Sequence, residues 1–345
     1  MEHPLKEFSF AFVYVKNSNY FSIPLLQEYA KKLESETKCK IAAHAIEISE
    51  IDEKLSKIEK LDMITCVPND VPHLLKFLNK FKNITWVHSM FSGVDKFLSL
   101  KEISQNNKII LTNARGAYAD NLAEYTILSL LYFNYNVPLY INSNNNHNWQ
   151  KLTNTMIDKK TILIIGYGKN GIAIAKRVKN AFNMYVISFV RKYRENIEGK
   201  ELCDELYGFD NLKENIIKKA DFILATLPET NETKGIFNKK FFESMKKDAV
   251  FINIGRGSAV IEQDLINALN ENNIRGAVLD VCQKEPLDKN DKLYDVPREK
   301  LLITNHSGDF TTSYIDQSYK VLIDNIRSFI TKGELVTIVK KDLGY

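Results

Sequence analysis

Eleven residues, Thr161-Ile-Leu-Ile-Ile-Gly-Tyr-Gly-Lys-Asn-Gly171, constrain the fold of this chain more than any others. Apolar and β-branched residues run straight into Gly166, Gly168 and Gly171, and a helical pattern follows through Ile172, Ala173, Ala175 and Val178. A strand, a tight turn and a helix in this order seat a dinucleotide pyrophosphate on a helix N-terminus. Gly166 permits the turn, Gly168 lets phosphates approach the backbone, and Gly171 lets helix and strand pack closely. Tyr167, Lys169 and Asn170 fill the same turn and join the glycines as candidate cofactor-binding residues. The alternative is a glycine-rich turn that holds no ligand; the legible strand and helix on either side favour the dinucleotide.

The next strand decides which dinucleotide. It reads Met184-Tyr-Val-Ile-Ser-Phe-Val190. NAD-binding versions place an Asp or Glu about 20 residues past the glycines, where it accepts hydrogen bonds from the adenosine ribose. Here Val190 stands at the strand end, followed by Arg191, Lys192, Tyr193 and Arg194. A cationic cluster without a carboxylate suits a 2′-phosphate, which an Arg fork holds bidentately. Arg191 and Lys192 are therefore candidate phosphate ligands, NADP(H) is the preferred cofactor, and NAD(H) stays possible. A solvated basic loop is the bland alternative.

The 345 residues suffice for two domains. A hydrophobic content of 44% and a charged content of 26% are those of an ordinary globular protein. The net charge of +4 is small and spread along the chain, which argues against nucleic acid as a partner. No apolar run reaches membrane-spanning length. The N-terminal Met1–Glu7 carries no signal-peptide core, and the C-terminal Lys-Asp-Leu-Gly-Tyr is no retention or peroxisomal address. Cys39, Cys66, Cys203 and Cys282 lack metal-ligand spacing, so no metal is expected and a reducing, cytoplasmic location is the simplest.

Strands and helices alternate along the first third: strand 8–15, helix 24–33, strand 40–46, helix 53–60, strand 62–67, helix 71–81, and strands 84–88 and 109–113. A long helix is expected over 120–133 with Asp120 as N-cap, and the Asn-rich 142–148 reads as a loop or surface arm. A second alternating set begins at Thr161, with strands at 185–190, 221–226, 249–253, 276–280 and 301–304, and a closing helix over 314–330. Such alternation predicts an α/β fold of two doubly wound parallel-sheet domains. A Rossmann dinucleotide-binding domain, residues 119–308, is inserted into a flavodoxin-like substrate domain of residues 1–118 completed by 309–345. The expected active site is a cleft between them, closed by movement about the two connections.

Three ionisable residues follow strands of the second set. Arg256 stands in Gly255-Arg-Gly257, Glu285 in Leu279-Asp-Val-Cys-Gln-Lys-Glu285-Pro-Leu, and His306 in Leu301-Leu-Ile-Thr-Asn-His306. Alone they would read as a surface ion pair, a loop carboxylate and a structural histidine. Together they match a pattern. With Gly166–Gly171, Leu227-Pro-Glu-Thr-Asn-Glu-Thr233, Trp86-Val-His-Ser-Met-Phe-Ser-Gly93-Val-Asp95, Asn113-Ala-Arg-Gly-Ala-Tyr118 and Ala123-Glu-Tyr125, the chain resembles the D-isomer-specific 2-hydroxyacid dehydrogenases along nearly its whole length.

That resemblance implies roles. His306 would be the general acid for the ketone oxygen, since imidazole titrates near neutrality. Glu285 would orient His306 and favour its protonated form. Arg256 would bind the 2-oxo acid and polarise its carbonyl. The turn Phe91-Ser92-Gly93 would hold the substrate carboxylate through backbone N–H groups. Leu227, Pro228, Thr233, Ile254 and Gly308 would line the cofactor, and Asp280 would lie near the nicotinamide carboxamide. Trp149 matches a tryptophan of the arm that links subunits in a homodimer, or is a packed aromatic.

Three departures stand out. Asn305 replaces the usual Pro before the histidine and is expected to loosen its loop. Asn183 replaces a Gly and tolerates a left-handed conformation. Met90-Phe91 stand where relatives carry small residues and are expected to crowd the substrate pocket. The reading is an NADPH-dependent reductase of a small 2-oxo acid, glyoxylate or hydroxypyruvate first, giving the D-2-hydroxy acid. Rivals are a nucleotide-sensing, corepressor-like regulator on the same fold, a formate-dehydrogenase-like enzyme, against which Glu285 in place of Gln argues, and a degenerate structural protein, against which Arg256, Glu285 and His306 argue.

Overall fold

A computed structural model describes residues 5–16 and 20–345, so the first four residues of the N-terminal segment read above lie outside it. The chain divides into two compact units, Met1–Tyr118 with Thr311–Tyr345, and Ala119–Phe310.

In the first unit the apolar runs form strands β1 (Glu7–Tyr14), β2 (Lys40–Glu47), β3 (Met63–Cys66), β4 (Trp86–Ser89) and β5 (Ile110–Asn113). They pair in parallel in the order β2-β1-β3-β4-β5, the flavodoxin-like order. Side chains alternate across a strand, so Phe8, Phe10 and Phe12 of β1 pack with Tyr319, Leu322, Ile323 and Ile326 of the helix Tyr314–Lys332. Ala11 and Val13 face Leu74, Phe77 and Phe97 on the other side. Burial on both faces is why β1 is apolar from Phe8 onward except at Ser9. His88 is fully buried in this sheet, bonded through Nδ1 to Thr112 Oγ1 at 2.7 Å. Burial pushes its pKa down to about 3, and it stays neutral in the core.

The second unit contains β6 (Thr161–Ile165), β7 (Tyr185–Val190), β8 (Glu205–Gly208), β9 (Phe222–Ala225), β10 (Val250–Asn253), β11 (Gly276–Leu279) and β12 (Leu301–Ile303). Their order is β12-β11-β10-β9-β6-β7-β8, all parallel. The winding reverses between β6 and β9, and in such sheets ligands bind beyond the carboxyl ends of the strands at that switch point. The glycine turn, Arg191, the Leu227–Thr233 loop, Arg256, Glu285 and His306 all follow strands of this sheet, at that edge.

Several expectations need correction. The helix begins at Ala119, so Asp120 lies in its first turn instead of capping it, and its carboxylate holds Arg177 at 2.8 Å. The Asn-rich stretch, read as a loop or surface arm, is no loop: it is helical through Asn145, in a helix Val137–Asn145 opened by Pro138. The helix expected over 71–81 is a 3₁₀ segment, Pro68–His73, followed by a helix Leu74–Lys80, because Pro72 cannot donate within a regular helix. The helix expected over 53–60 spans Ile51–Ser56. Asn183 takes the left-handed conformation (φ 50°) and ends the helix Lys169–Phe182, as its substitution for Gly requires.

Candidate active site

Gly166 has φ of +108°, and a Cβ there would stand 2.6 Å from Thr226 Oγ1, so no other residue makes this turn without strain. The helix Lys169–Phe182 begins at Gly168 with no side-chain cap, and a Cβ on Gly168 would meet nothing within 4 Å. First-turn N–H groups beneath open space fit a dinucleotide pyrophosphate. Not every candidate in the turn faces that space. Tyr167 is buried and its hydroxyl donates to Gly199 O at 2.7 Å, while Leu227 and Ile254 are also buried in the unit's cores. Asn170 is half-buried and Lys192 exposed. Lys169 pairs with Glu198 at 2.6 Å, and Arg191 forms a bidentate pair with Glu232. Thr233 Oγ1 donates to Pro228 O at 2.7 Å and closes the loop after β9.

Arg256 follows β10 on a turn clamped by the fully buried Asn253. The Asn253 amide donates to Arg256 O at 3.0 Å, and its carbonyl accepts from Gly255 N at 3.1 Å. Nη1 of Arg256 donates to Gly255 O at 2.9 Å. Gly257 lies directly against the backbone of Cys282, on the segment that leads to Glu285.

The structure brings Glu285 and His306 together from the loops after β11 and β12. Glu285 Oε1 accepts from Cys282 N at 2.9 Å, and Oε2 accepts from His306 Nδ1 at 2.7 Å. With the Nδ1 proton held by a carboxylate, Nε2 is the nitrogen that exchanges a proton. The hydrogen bond to Glu285 raises the His306 pKa above its ordinary value; burial opposes this, and the charges of Glu285 and Asp280 reinforce it. Burial alone would raise the Glu285 carboxyl. The bonds from His306 and Cys282 N, with the charges of His306 and Arg256, outweigh it and hold Glu285 below its ordinary value. Arg256 therefore acts electrostatically on both partners. A cavity of about 340 Å³ adjoins them, bordered by Asp280, Leu287, Tyr294 and Asn305.

Asp280, read as a neighbour of the nicotinamide, anchors the histidine loop. Its Oδ1 accepts from Thr304 Oγ1 at 2.7 Å, Ser307 N at 2.9 Å and Gly308 N at 3.0 Å, while its backbone oxygen accepts from His306 N at 2.6 Å. Thr304 Oγ1 also bonds the Tyr125 hydroxyl at 2.6 Å, which ties the loop to the helix Ala119–Asn134. Asn305 and His306 have φ of 55° and 54°. The proline ring fixes φ near −65°, so this loop takes a shape that Pro at 305 would forbid, and Asp280 holds it where looseness was expected. Replacing Thr304 by Val keeps its shape and removes both bonds. If His306 has the acid role that the resemblance implies, its displacement costs up to about a hundredfold in rate, and kcat is expected to fall about ten- to a hundredfold in a steady-state assay.

Two acids close to candidate site residues were not singled out in the sequence. Asp309 is pushed up to about 6, first by burial and further by the charge of Asp280, against the pull of His306 and Arg256. Its signal was an acid three residues after the histidine. Glu232 was visible only as part of the Leu227–Thr233 motif.

In the first unit, the Phe91-Ser92-Gly93 turn is tied back by its carbonyls. Ser92 O accepts from Asn113 Nδ2 at 2.7 Å, and Phe91 O from Ser89 Oγ at 3.0 Å. Met90 does not crowd a pocket, because it is buried in the unit's core and its carbonyl is held by Ser318 Oγ at 2.6 Å. Phe91 packs edge-on against Tyr20 and Tyr314. Trp149 is fully exposed, which excludes the packed-aromatic alternative within this chain.

Residues 127–308 match the model of the D-isomer specific 2-hydroxyacid dehydrogenase NAD-binding domain. A protein from Corynebacterium melassecola described as an uncharacterized protein in the proB 3′ region is 30% identical over 273 residues, covering 76% of this chain and 84% of its own length. The glyoxylate reductase of Pyrococcus horikoshii is 36% identical over 185 residues, 53% of this chain, and the chain spans about half (52%) of that relative's length. Among solved structures, a D-isomer specific 2-hydroxyacid dehydrogenase family protein from Aeromonas salmonicida subsp. salmonicida superposes with a TM-score of 0.78 at 27% identity, covering 97% of this chain and 99% of its own.

Proposed function

Because the chain belongs to the D-isomer specific 2-hydroxyacid dehydrogenase family, we propose that it reduces a small 2-oxo acid, glyoxylate or hydroxypyruvate first, to the D-2-hydroxy acid with NADPH. The observation that carries this reading is the 2.7 Å bond between Glu285 and His306 at the carboxyl edge of a Rossmann sheet, beside a turn that presents Arg256. An imidazole whose pKa a carboxylate raises delivers a proton through Nε2 to a carbonyl oxygen as negative charge develops there. Arg256 binds the carboxylate and carbonyl of the 2-oxo acid, and its charge stabilises that oxygen further.

The bound nicotinamide supplies the hydride. Gly166, Gly168, Asn170 and the first turn of the helix Lys169–Phe182 would hold the pyrophosphate, and the loop Pro228–Thr233 and Gly308 would line the rest. The preference for NADPH rests on Arg191 and Lys192 after a strand that ends in Val190 instead of an acid. As the family resemblance implies a homodimer, the exposed Leu128, Leu139, Ile141, Trp149 and Met156 are proposed to be covered by a second copy.

Absorbance of NADPH and NADH is followed in parallel against a panel of 2-oxo acids led by glyoxylate and hydroxypyruvate. Turnover with NADPH preferred is the expected result. Equal or better use of NADH would retain the reductase and reject the cofactor preference. Dinucleotide binding with no turnover across the panel would reject the reductase in favour of a nucleotide-sensing protein.

A further inference from the structure

The end of β7 is where a doubly wound domain distinguishes the two dinucleotides, and the sequence there offers cations and no acid. The fold nevertheless delivers a carboxylate to that place from another loop. Glu232, in the segment after β9, accepts from Arg191 Nε at 2.8 Å and from Arg191 Nη2 at 2.7 Å. The bond from Arg191, aided by the charge of Lys192, holds the Glu232 carboxyl below its ordinary value, so it is ionised near neutrality. Both side chains are substantially exposed, at 36% and 61%. Exposed ion pairs are weakly held, a bidentate one at the upper end of their range, and a phosphate dianion offers the same guanidinium fork a second negative charge, so it can displace the carboxylate.

We propose that Arg191 and Glu232 form a two-way reader of the adenosine ribose, with Glu232 as a specificity-determining residue that restrains the preference for NADPH. This rests on the reading of the β7 end as the ribose site. A 2′-hydroxyl can donate to the acceptor-only carboxylate of Glu232 while the ion pair stays closed. A 2′-phosphate cannot donate in this way and is repelled by the same carboxylate. It instead draws the guanidinium from Glu232 and takes its fork. The acid that NADH needs, missing at 190, is thus supplied from 232, and one site accepts both cofactors.

The test is calorimetric titration of the full chain, without substrate, with NADPH, NADH and the fragments 2′,5′-ADP and 5′-AMP. Glu232→Gln is expected to tighten NADPH and 2′,5′-ADP about fivefold and to weaken NADH and 5′-AMP about threefold, within the range set by one exposed charge. Arg191→Ala is expected to weaken NADPH at least tenfold and to leave NADH little changed, which also shows that the variant is folded. If Glu232→Gln alters neither cofactor while Arg191→Ala still weakens NADPH, the pair is a surface contact and the two-way reader is rejected, with the NADPH reading intact. Weaker NADPH binding by Glu232→Gln would make Glu232 an aligner of Arg191 and would equally reject it. Unchanged NADPH binding by Arg191→Ala would overturn the phosphate site itself.

Discussion

Replacing His306 by Gln lowers kcat for 2-oxo acid reduction by about a hundred- to ten-thousandfold, the range over which a positioned proton donor acts. Cofactor binding, followed by titration of NADPH fluorescence, stays within about twofold, because the glycine turn and the loop after β9 do not depend on the imidazole. Gln retains a donor but has no proton to release. A variant that kept a tenth or more of the wild-type kcat would remove His306 from the chemistry.

Glu285→Gln separates orientation from charge. Gln can still hold the imidazole but carries no negative charge, so the His306 pKa loses the main influence that raises it. On the proposed mechanism the protonated imidazole is the active form in reduction, and activity is expected to fall as pH rises through its pKa. That limb should move to lower pH in the variant, by an amount a kcat–pH profile resolves directly. The sign for stability follows from the same two shifts. His306, raised from an ordinary 6.5, contributes stability that is complete below that value and is lost as pH climbs through the folded pKa. Glu285, lowered from 4.5, contributes stability that is complete above that value and is lost as pH falls through its folded pKa. The pair therefore stabilises the wild type most between those two ordinary values, and Glu285→Gln should flatten the difference there.

The central strands of both sheets were legible in the sequence because burial on both faces leaves unbroken apolar runs such as Phe10–Val13 and Ile162–Ile165. Strand β8 was not, since Glu205–Gly208 lies at the sheet edge with most of its residues only half-buried, and so carries no run to read. The helix Val137–Asn145 was hidden by asparagines, which favour turns by local propensity and are overridden here by the context the fold supplies. At the site, Arg256, Glu285 and His306 were readable only as a set, through the order and spacing of the motifs that resemble the family; each alone reads as an ordinary surface or structural residue. The supports were not readable. That Asp280 also anchors the histidine loop, through three donors to Oδ1, shows only in the structure. Nothing in the spacing of Arg191 and Glu232, 41 residues apart, announces that they meet. Positive φ at Asn305 and His306 is likewise a property of the closed loop, not of its composition.

Gly257→Ala should be the most disruptive single-methyl change at this site. A Cβ built on Gly257 would lie 2.0 Å from both the carbonyl carbon and the oxygen of Cys282, and 2.5 Å from Gln283 N. These are backbone atoms, so no rotamer change relieves the overlap. Movement is resisted on both sides. On one, Asn253 bonds the turn at two points. On the other, Cys282 N donates to Glu285, and Gln283 N donates to Glu262 at 2.6 Å. Overpacking a close interior contact costs about 1–3 kcal/mol and more where the backbone must shift, so the second unit should lose at least about 3 kcal/mol of stability. If it still folds, the loop after β11 must retreat and draw Glu285 away from His306. The His306 pKa would then fall as it does in Glu285→Gln, although Glu285 itself is intact. Thermal unfolding of Gly257→Ala, with its kcat–pH profile, checks both parts. A variant with wild-type melting and an unmoved limb would show that the two loops are not in contact, and would remove the structural reason for the glycine that follows Arg256.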